Sequence, residues 1–268
     1  MKKIIYLFGF LLILSNIMLY PKTFKQNPAK ANCSTPKMAI VIDDFGSYDQ
    51  SGVELLSTCP AKLTCAVLPN VDNTIQNINQ FSALGHEIIL HMPMQSHVNL
   101  PEDWYGPVYI KNHDTPETAI QKLESCLKEF PAVKGFNFHI GSGVSRNKTL
   151  MTAIYEFAKN NNLYFLDSRT IETNSPETAA KNTGSIYLKR DVFLEADKNR
   201  SYQGVKNRLI ETANLAKENG YAIAIGHVGA EGGTNTATAI LDSIKTIEDM
   251  GVKIVPLSEI VEDIKANG

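Results

Sequence analysis

The sequence predicts an α/β fold, a distorted (β/α) barrel of about seven parallel strands. Two observations carry this expectation. Short, near-continuous apolar runs alternate with amphipathic helical patterns from residue 37 onward, the pattern of a parallel sheet covered on both faces. These units number seven or eight, enough to close or nearly close a barrel.

Strands are predicted at 38–42, 63–68, 86–90, 134–137, 163–166, 185–188, 221–225 and 253–255, and helices at 47–57, 71–84, 115–129, 147–161, 176–182, 201–219 and 234–250. The first strand is Ala39-Ile40-Val41-Ile42, mostly β-branched, and it stops at Asp43-Asp44-Phe45-Gly46. Thr115-Pro116-Glu117 opens a helix with a capping hydroxyl, a proline at the first position and an acid in the first turn. Gly85, Gly220 and Gly251 stand where helices should stop. The stretch 92–114, with Pro93, Pro101, Trp104 and Pro107, is the longest loop and a candidate rim.

Ahead of this domain (37–268) lie two segments of another kind. Met1-Lys2-Lys3 and the apolar stretch 4–19 read as a signal peptide or signal anchor over residues 1–20, and residues 21–36 as a polar tether. They imply an exported chain, periplasmic or otherwise extracytoplasmic, whose N-terminal segment engages the membrane or the export machinery. In that setting Cys59 and Cys65 are free to pair with each other or with Cys126, or to stay reduced and buried; Cys33 sits in the tether. No C-x-x-C spacing points to a thiolate zinc site. A net charge of −2 offers no footprint for nucleic acid, and no Walker A or G-x-G-x-x-G follows a strand.

The chemistry follows the apolar runs. Asp43-Asp44 ends the first strand, His91 the third, Asn137-Phe138-His139 the fourth, Asp167-Ser168-Arg169 the fifth, Arg190-Asp191 the sixth and His227 the seventh. A parallel β/α architecture gathers all of these on one face. Each residue has an ordinary structural reading: Asp167 as a helix cap, Arg190 and Asp191 as a solvated pair, His86 as a residue at a strand start. Their joint placement argues for a site. One carboxylate with two neutral imidazoles suits a divalent metal, zinc foremost, which activates water and polarises a carbonyl oxygen. A second carboxylate then takes the proton of the water and a third histidine protonates the leaving group, with backbone N–H groups near Gly141-Ser142 helping the oxyanion.

The ordered motifs Ile40-Val41-Ile42-Asp43-Asp44-Phe45-Gly46, Gly85-His86-Glu87, His91-Met92-Pro93-Met94, Gly135-x-Asn137-x-His139-x-Gly141-Ser142, Phe165-Leu166-Asp167-Ser168, Arg190-Asp191-Val192-Phe193-Leu194 and Ile225-Gly226-His227 resemble the divergent polysaccharide deacetylase family, related to the NodB-homology carbohydrate esterases. The resemblance spans about residues 37–264. It implies metal-dependent removal of acetyl groups from a cell-envelope or other polysaccharide, with Asp43 as base, Asp44 as metal ligand and His227 as acid. His91 and His139 complete the expected metal set, with His97 in the long loop as the rival of His139. Asp167 and Arg190 join the expected catalytic set, and Asn137, Ser142, Asp191 and Trp104 the substrate-binding set. The chain also departs from the family: Gln95 stands where an H-x-x-x-H segment starting at His91 has its second histidine, and Gly229 where many members carry a histidine. The rival expectation is therefore a glycan-binding or envelope-organising protein that keeps the fold without turnover.

Overall fold

The computed structural model describes residues 35–130, 132–196 and 200–267. The N-terminal apolar stretch, Cys33 and the tether up to residue 34 lie outside the described residues. Among the described residues, no helix is long and apolar enough to cross a membrane.

The strands are β1 (Lys37–Phe45), β2 (Thr64–Val67), β3 (Glu87–Met94), β4 (Gly135–Ile140), β5 (Tyr164–Asp167), β6 (Leu188–Lys189), β7 (Val192–Phe193), β8 (Tyr221–His227) and β9 (Lys253–Ile254). Their order is β6-β5-β4-β3-β2-β1-β8-β7, parallel throughout, with β9 paired to β1 off this path. The path thus holds eight strands where the sequence suggests about seven. The extra one arises because the segment 188–193 changes partners midway. Leu188 and Lys189 pair with β5, whereas Val192 and Phe193 pair with β8. Between them Arg190 N–H donates to the Asp167 carbonyl (2.9 Å) and Asp191 N–H to that of Ile223 (2.8 Å). This broken stave joins the two ends of the curled sheet.

Alternation along the strands divides the core in two. Met38, Ile40 and Ile42 face outward, into the layer shared with the surrounding helices. Ala39 and Val41 face inward with Ile89, Leu166, Leu188, Ile223 and Ile225. The helix Leu257–Asn267, absent from the predicted elements although Leu257, Ile260, Val261 and Ile264 stand at helical spacing, closes the bottom of this interior with Leu257, Ile260 and Val261. Its first N–H groups are satisfied by strand side chains: Leu257 N–H donates to Thr64 Oγ1 (2.9 Å) and Ser258 N–H to Glu87 Oε2 (3.1 Å). His86 is likewise structural, its Nδ1 accepting from Leu63 N–H (3.1 Å). Among the described residues Cys59, Cys65 and Cys126 are unpaired and buried.

The interior is packed closely enough to test. Gly135 pairs with Tyr164 across β4 and β5, and a Cβ built on it would lie 2.4 Å from the Tyr164 ring. Because Tyr164 is buried, the ring cannot swing into solvent. Gly135→Ala is expected to cost about 1–3 kcal/mol of stability, read as a lower midpoint in denaturant unfolding with an unchanged slope.

Candidate active site

Every strand end that matters here meets at the carboxyl end of the sheet. Parallel register places Asp43 beside His227 on β1 and β8, and His91 beside Asn137 on β3 and β4. Strict alternation aims Asp43 inward, in line with Ala39 and Val41, but it would aim Asp44 outward toward the helices. The structure resolves this with a bulge. The register of β1 against β2 shifts between Ile42 and Phe45, and Asp44 adopts a left-handed conformation (φ 67°). The extra residue turns Asp44 into the site and returns Phe45 to the outer core. Left-handed non-glycine residues also follow β2 (Asn70), end β4 (Ile140) and follow β5 (Arg169), a concentration of strain at one end of the sheet that points to function.

Asp44 Oδ1 lies 3.0 Å from His139 Nδ1 and 3.3 Å from His91 Nε2. Neither contact is a hydrogen bond, and this buried oxygen has no hydrogen-bond partner. The surrounding bonds explain why. Asn137 Nδ2 donates to Asp43 Oδ1 (2.7 Å), which leaves the amide oxygen facing His91 Nδ1 at 2.7 Å. In neutral His91 the proton therefore belongs on Nδ1, and Nε2 turns a lone pair toward Asp44. The Trp104 carbonyl does the same for His139: it lies 3.2 Å from Nε2, so Nε2 carries the proton and Nδ1 is bare. Two lone pairs and a carboxylate oxygen thus converge, all within 4.8 Å of one another. Such a group is repulsive until a cation enters it, and the second carboxylate and the carbonyls behind the imidazoles are the outer partners a metal site uses. The residues fit a divalent metal. Among the described residues they are the one such cluster of His, Cys, Asp and Glu donors.

With no cation in the cluster, the alternative is a proton on the imidazoles facing Asp44, and the charge states then show the same demand for positive charge. Burial works to raise the Asp44 carboxyl, but His139 and His91 outweigh it and hold it well below the usual carboxylate range. Burial opposes a charge on His91, yet Asp43 and Asp44 raise its pKa, so the field at this point calls for positive charge. Asp43, 2% exposed, is pushed up by burial, with His91 and His227 pulling it partly back.

His227 is held by a residue that the sequence motifs did not single out. Glu195, buried in the turn after β7, accepts from His227 N–H (2.9 Å) and Thr236 Oγ1 (2.6 Å) through Oε1, and its Oε2 lies 3.1 Å from His227 Nδ1. Phe193 packs edge-on against the same imidazole, with ring centroids 5.3 Å apart. Burial alone would lower the His227 pKa, but Glu195, with smaller help from Asp44 and Asp43, raises it to about 9. The proton on Nδ1 faces Glu195, and Nε2 faces Asp43 Oδ2 across 4.0 Å. One signal in the sequence could have found Glu195: it ends the apolar run 192–194 as Asp43 ends 39–42.

The other expected site residues are placed less directly. Asp167 Oδ1 accepts from Arg169 N–H (2.8 Å) and Oδ2 from Tyr187 Oη (2.8 Å), so it shapes the turn after β5. Arg190 lines the hollow beside Asp43 and His227, but donates to the carbonyls of Ser168 and Arg169. Asp191 Oδ2 accepts from Ile223 N–H and ties the broken stave to β8. Ser142 Oγ accepts from His97 N–H (3.2 Å) and lies 2.8 Å from His97 Nδ1. It locks the long loop, and it occupies the imidazole of His97. Trp104, 58% exposed, stands at the rim of a second hollow that also includes Asp44 and His139.

Asn137 is the pivot of the network. With Asn137→Ala the His91 tautomer is no longer fixed and Asp43 loses a donor. Metal affinity is expected to fall by about 10–100-fold, measured by competition with a chromogenic chelator.

A curled parallel sheet with a carboxylate-imidazole cluster at its carboxyl end defines a deacetylase-like α/β fold. The model of the divergent polysaccharide deacetylase family matches residues 40–261, and the chain belongs to that family. It is 35% identical over 196 residues to YibQ of Escherichia coli (strain K12), and 29% identical over 195 residues to a protein of Haemophilus influenzae, both described as uncharacterized. Each alignment covers 71% of this chain, and 58% and 66% of the respective relative, less than two thirds of either. Among solved structures, the uncharacterized protein ATU2773 of Agrobacterium tumefaciens C58 superposes with a TM-score of 0.76 at 18% identity, covering 84% of this chain and 89% of its own. The Bc1960 peptidoglycan N-acetylglucosamine deacetylase does so with a TM-score of 0.50 at 16% identity, covering 84% and 88%. These likenesses establish the fold.

Proposed function

We propose that the chain is an exported hydrolase, dependent on a divalent metal, that removes acetyl groups from a polysaccharide of the cell envelope. The observation that carries this reading is the convergence of Asp44 Oδ1, His91 Nε2 and His139 Nδ1 with no hydrogen bond among them. These three residues would hold the metal, and the donor set of one carboxylate and two imidazoles suits zinc. Bound there, such an ion supplies Lewis acidity toward a carbonyl oxygen and lowers the pKa of water beside it.

The chain's own residues do the proton chemistry. Asp43 presents Oδ2, its oxygen not engaged by Asn137, to the centre of the site. It takes a proton from the attacking water as the new carbon–oxygen bond forms. His227, protonated below about pH 9, gives its Nε2 proton to the departing nitrogen or oxygen of the sugar as the acyl bond breaks. The proton on Asp43 then returns His227 to its charged state through solvent. Both groups come from strands, on a rigid scaffold, which is the placement that proton transfer across short distances needs.

The test is acetate release from a panel of acetylated oligomers, including chitin-type and peptidoglycan fragments. Loss of release on chelation and its return on adding Zn²⁺ supports the reading. No release across the panel with retained glycan binding instead favours a binding protein. That second reading has one observation behind it: Gln95 stands where a second metal histidine is expected, and its side-chain oxygen accepts from Asn112 N–H in the loop (2.8 Å).

A further inference from the structure

Two hollows flank the Asp44–His139 pair, and their charges differ. The hollow on the Trp104 side, about 490 Å³, is lined by Asp49, Asp72 and Asp103 and by no lysine or arginine. The one on the His227 side, about 370 Å³, contains Arg169 and Arg190. We propose that this second hollow is an anion subsite, in which Arg169 and Arg190 receive a carboxylate or phosphate carried by the glycan next to the acyl group that is hydrolysed. This inference rests on the reading of the chain as a glycan deacetylase, and it adds the charge of the substrate.

Three observations support it. First, neither arginine is spent on an acid: among the described residues no carboxylate lies within ion-pair distance of either guanidinium. Asp167, the nearest candidate in sequence, gives one oxygen to Arg169 N–H and the other to Tyr187. Arg169 is exposed, but the half-buried guanidinium of Arg190, with no ion-pair partner, costs free energy unless an anion arrives.

Second, Arg190 is fixed in place. Nε donates to the Ser168 carbonyl (2.7 Å) and Nη2 to the Arg169 carbonyl (2.8 Å). Its plane also sits 4.9 Å over the Phe193 ring. Two of its five N–H groups are used, and three remain for a ligand in the fork geometry that matches carboxylate and phosphate oxygens.

Third, the chain accepts backbone strain to bring Arg169 beside it. Arg169 is left-handed (φ 50°), in a turn closed by the Asp167 carboxylate. A glycine would adopt this conformation without cost, so an arginine here argues for its side chain. The hollow is also shared with Asp43 and His227, which puts the anion on the sugar that carries the scissile group or on its neighbour.

The test measures equilibrium binding of four probes to the wild-type full chain, with acetate release followed in the same samples. The probes are a neutral N-acetylglucosamine oligomer, an oligomer with a carboxylate-bearing neighbouring sugar, its methyl ester, and a phosphorylated oligomer. The expected result is that the carboxylate or the phosphate probe binds at least about tenfold more tightly than the neutral ones, and which of the two does so names the source of the charge. The preference should shrink to about twofold or less in Arg190→Gln and Arg169→Gln, while Arg190→Lys retains part of it. Equal binding of charged and neutral probes by the wild type, or an undiminished preference in both glutamine variants, overturns the subsite. Acetate release that is indifferent to charge leaves the deacetylase reading standing without the subsite. Charge-selective binding with no release from any probe does the reverse.

Discussion

Asp43→Asn is expected to lower the rate of acetate release by about 10²–10⁴-fold, the usual contribution of a positioned general base, while leaving metal content unchanged. The separation of the two effects follows from the hydrogen bonds. Asp43 uses Oδ1 to receive Asn137 Nδ2 at 2.7 Å, and an asparagine carbonyl oxygen in the same place accepts that bond equally well. The amide of Asn137 then keeps its orientation, His91 keeps its proton on Nδ1, and the three metal-facing donors are undisturbed. What is lost is the second oxygen, the one that faces His227. Burial makes that oxygen more basic than an exposed aspartate, so no solvated carboxylate replaces it. A rate within tenfold of the wild type, measured on the best oligomer of the panel, would remove Asp43 from the proton chemistry.

The second large effect is a change in pH dependence. Because Glu195 raises the His227 pKa to about 9, the acid stays charged through neutral pH, and release should decline only as pH rises through about 9. Glu195→Gln keeps acceptors for His227 N–H and Thr236 but removes the charge beside Nδ1. The alkaline limb should then move down by about 1–2 units, toward the ordinary histidine value. The sign for stability follows the same linkage. A histidine whose pKa is raised on folding contributes stability that is fully present below about pH 6.5 and is lost as pH climbs to about 9. Thermal unfolding of wild type and variant should therefore differ more at pH 6 than at pH 10. An alkaline limb at the same pH in both proteins would separate Glu195 from the acid step.

Much of this is legible in the sequence, for a physical reason. Buried parallel strands must be apolar, so the first polar residue after each run is conspicuous, and that rule finds Asp43, His91, Asn137, His139 and His227. It also sets aside His86, which the structure shows bonded to Leu63 N–H at the far end of β3. What a run cannot express is a local departure from its own period. The bulge that turns Asp44 inward depends on one left-handed residue, and the sequence around Gly46 only permits such a turn. Glu195 ends the apolar run 192–194, but that run is short and follows a segment, 188–193, that changes partners midway, so its end stands out less than that of 39–42. The helix Leu257–Asn267 is legible too, since Leu257, Ile260, Val261 and Ile264 stand at helical spacing, and the predicted elements, which end at 255, pass over it. Asp167, Ser142 and Asp191 follow the strand-end rule, yet their polar atoms are engaged with the turns that hold the site's walls. Strand-end position selects what lies on the face, and hydrogen bonding decides which of those residues remain free for chemistry.

The cluster of Asp44, His91 and His139 is the centre of the proposed chemistry. Metal content per chain, measured by elemental analysis after loading with Zn²⁺ and desalting, tests it most directly. The expected result is about one equivalent in the wild type and close to none in Asp44→Ala and His139→Ala, with circular dichroism unchanged in both. A full equivalent retained by both folded variants would contradict the assignment.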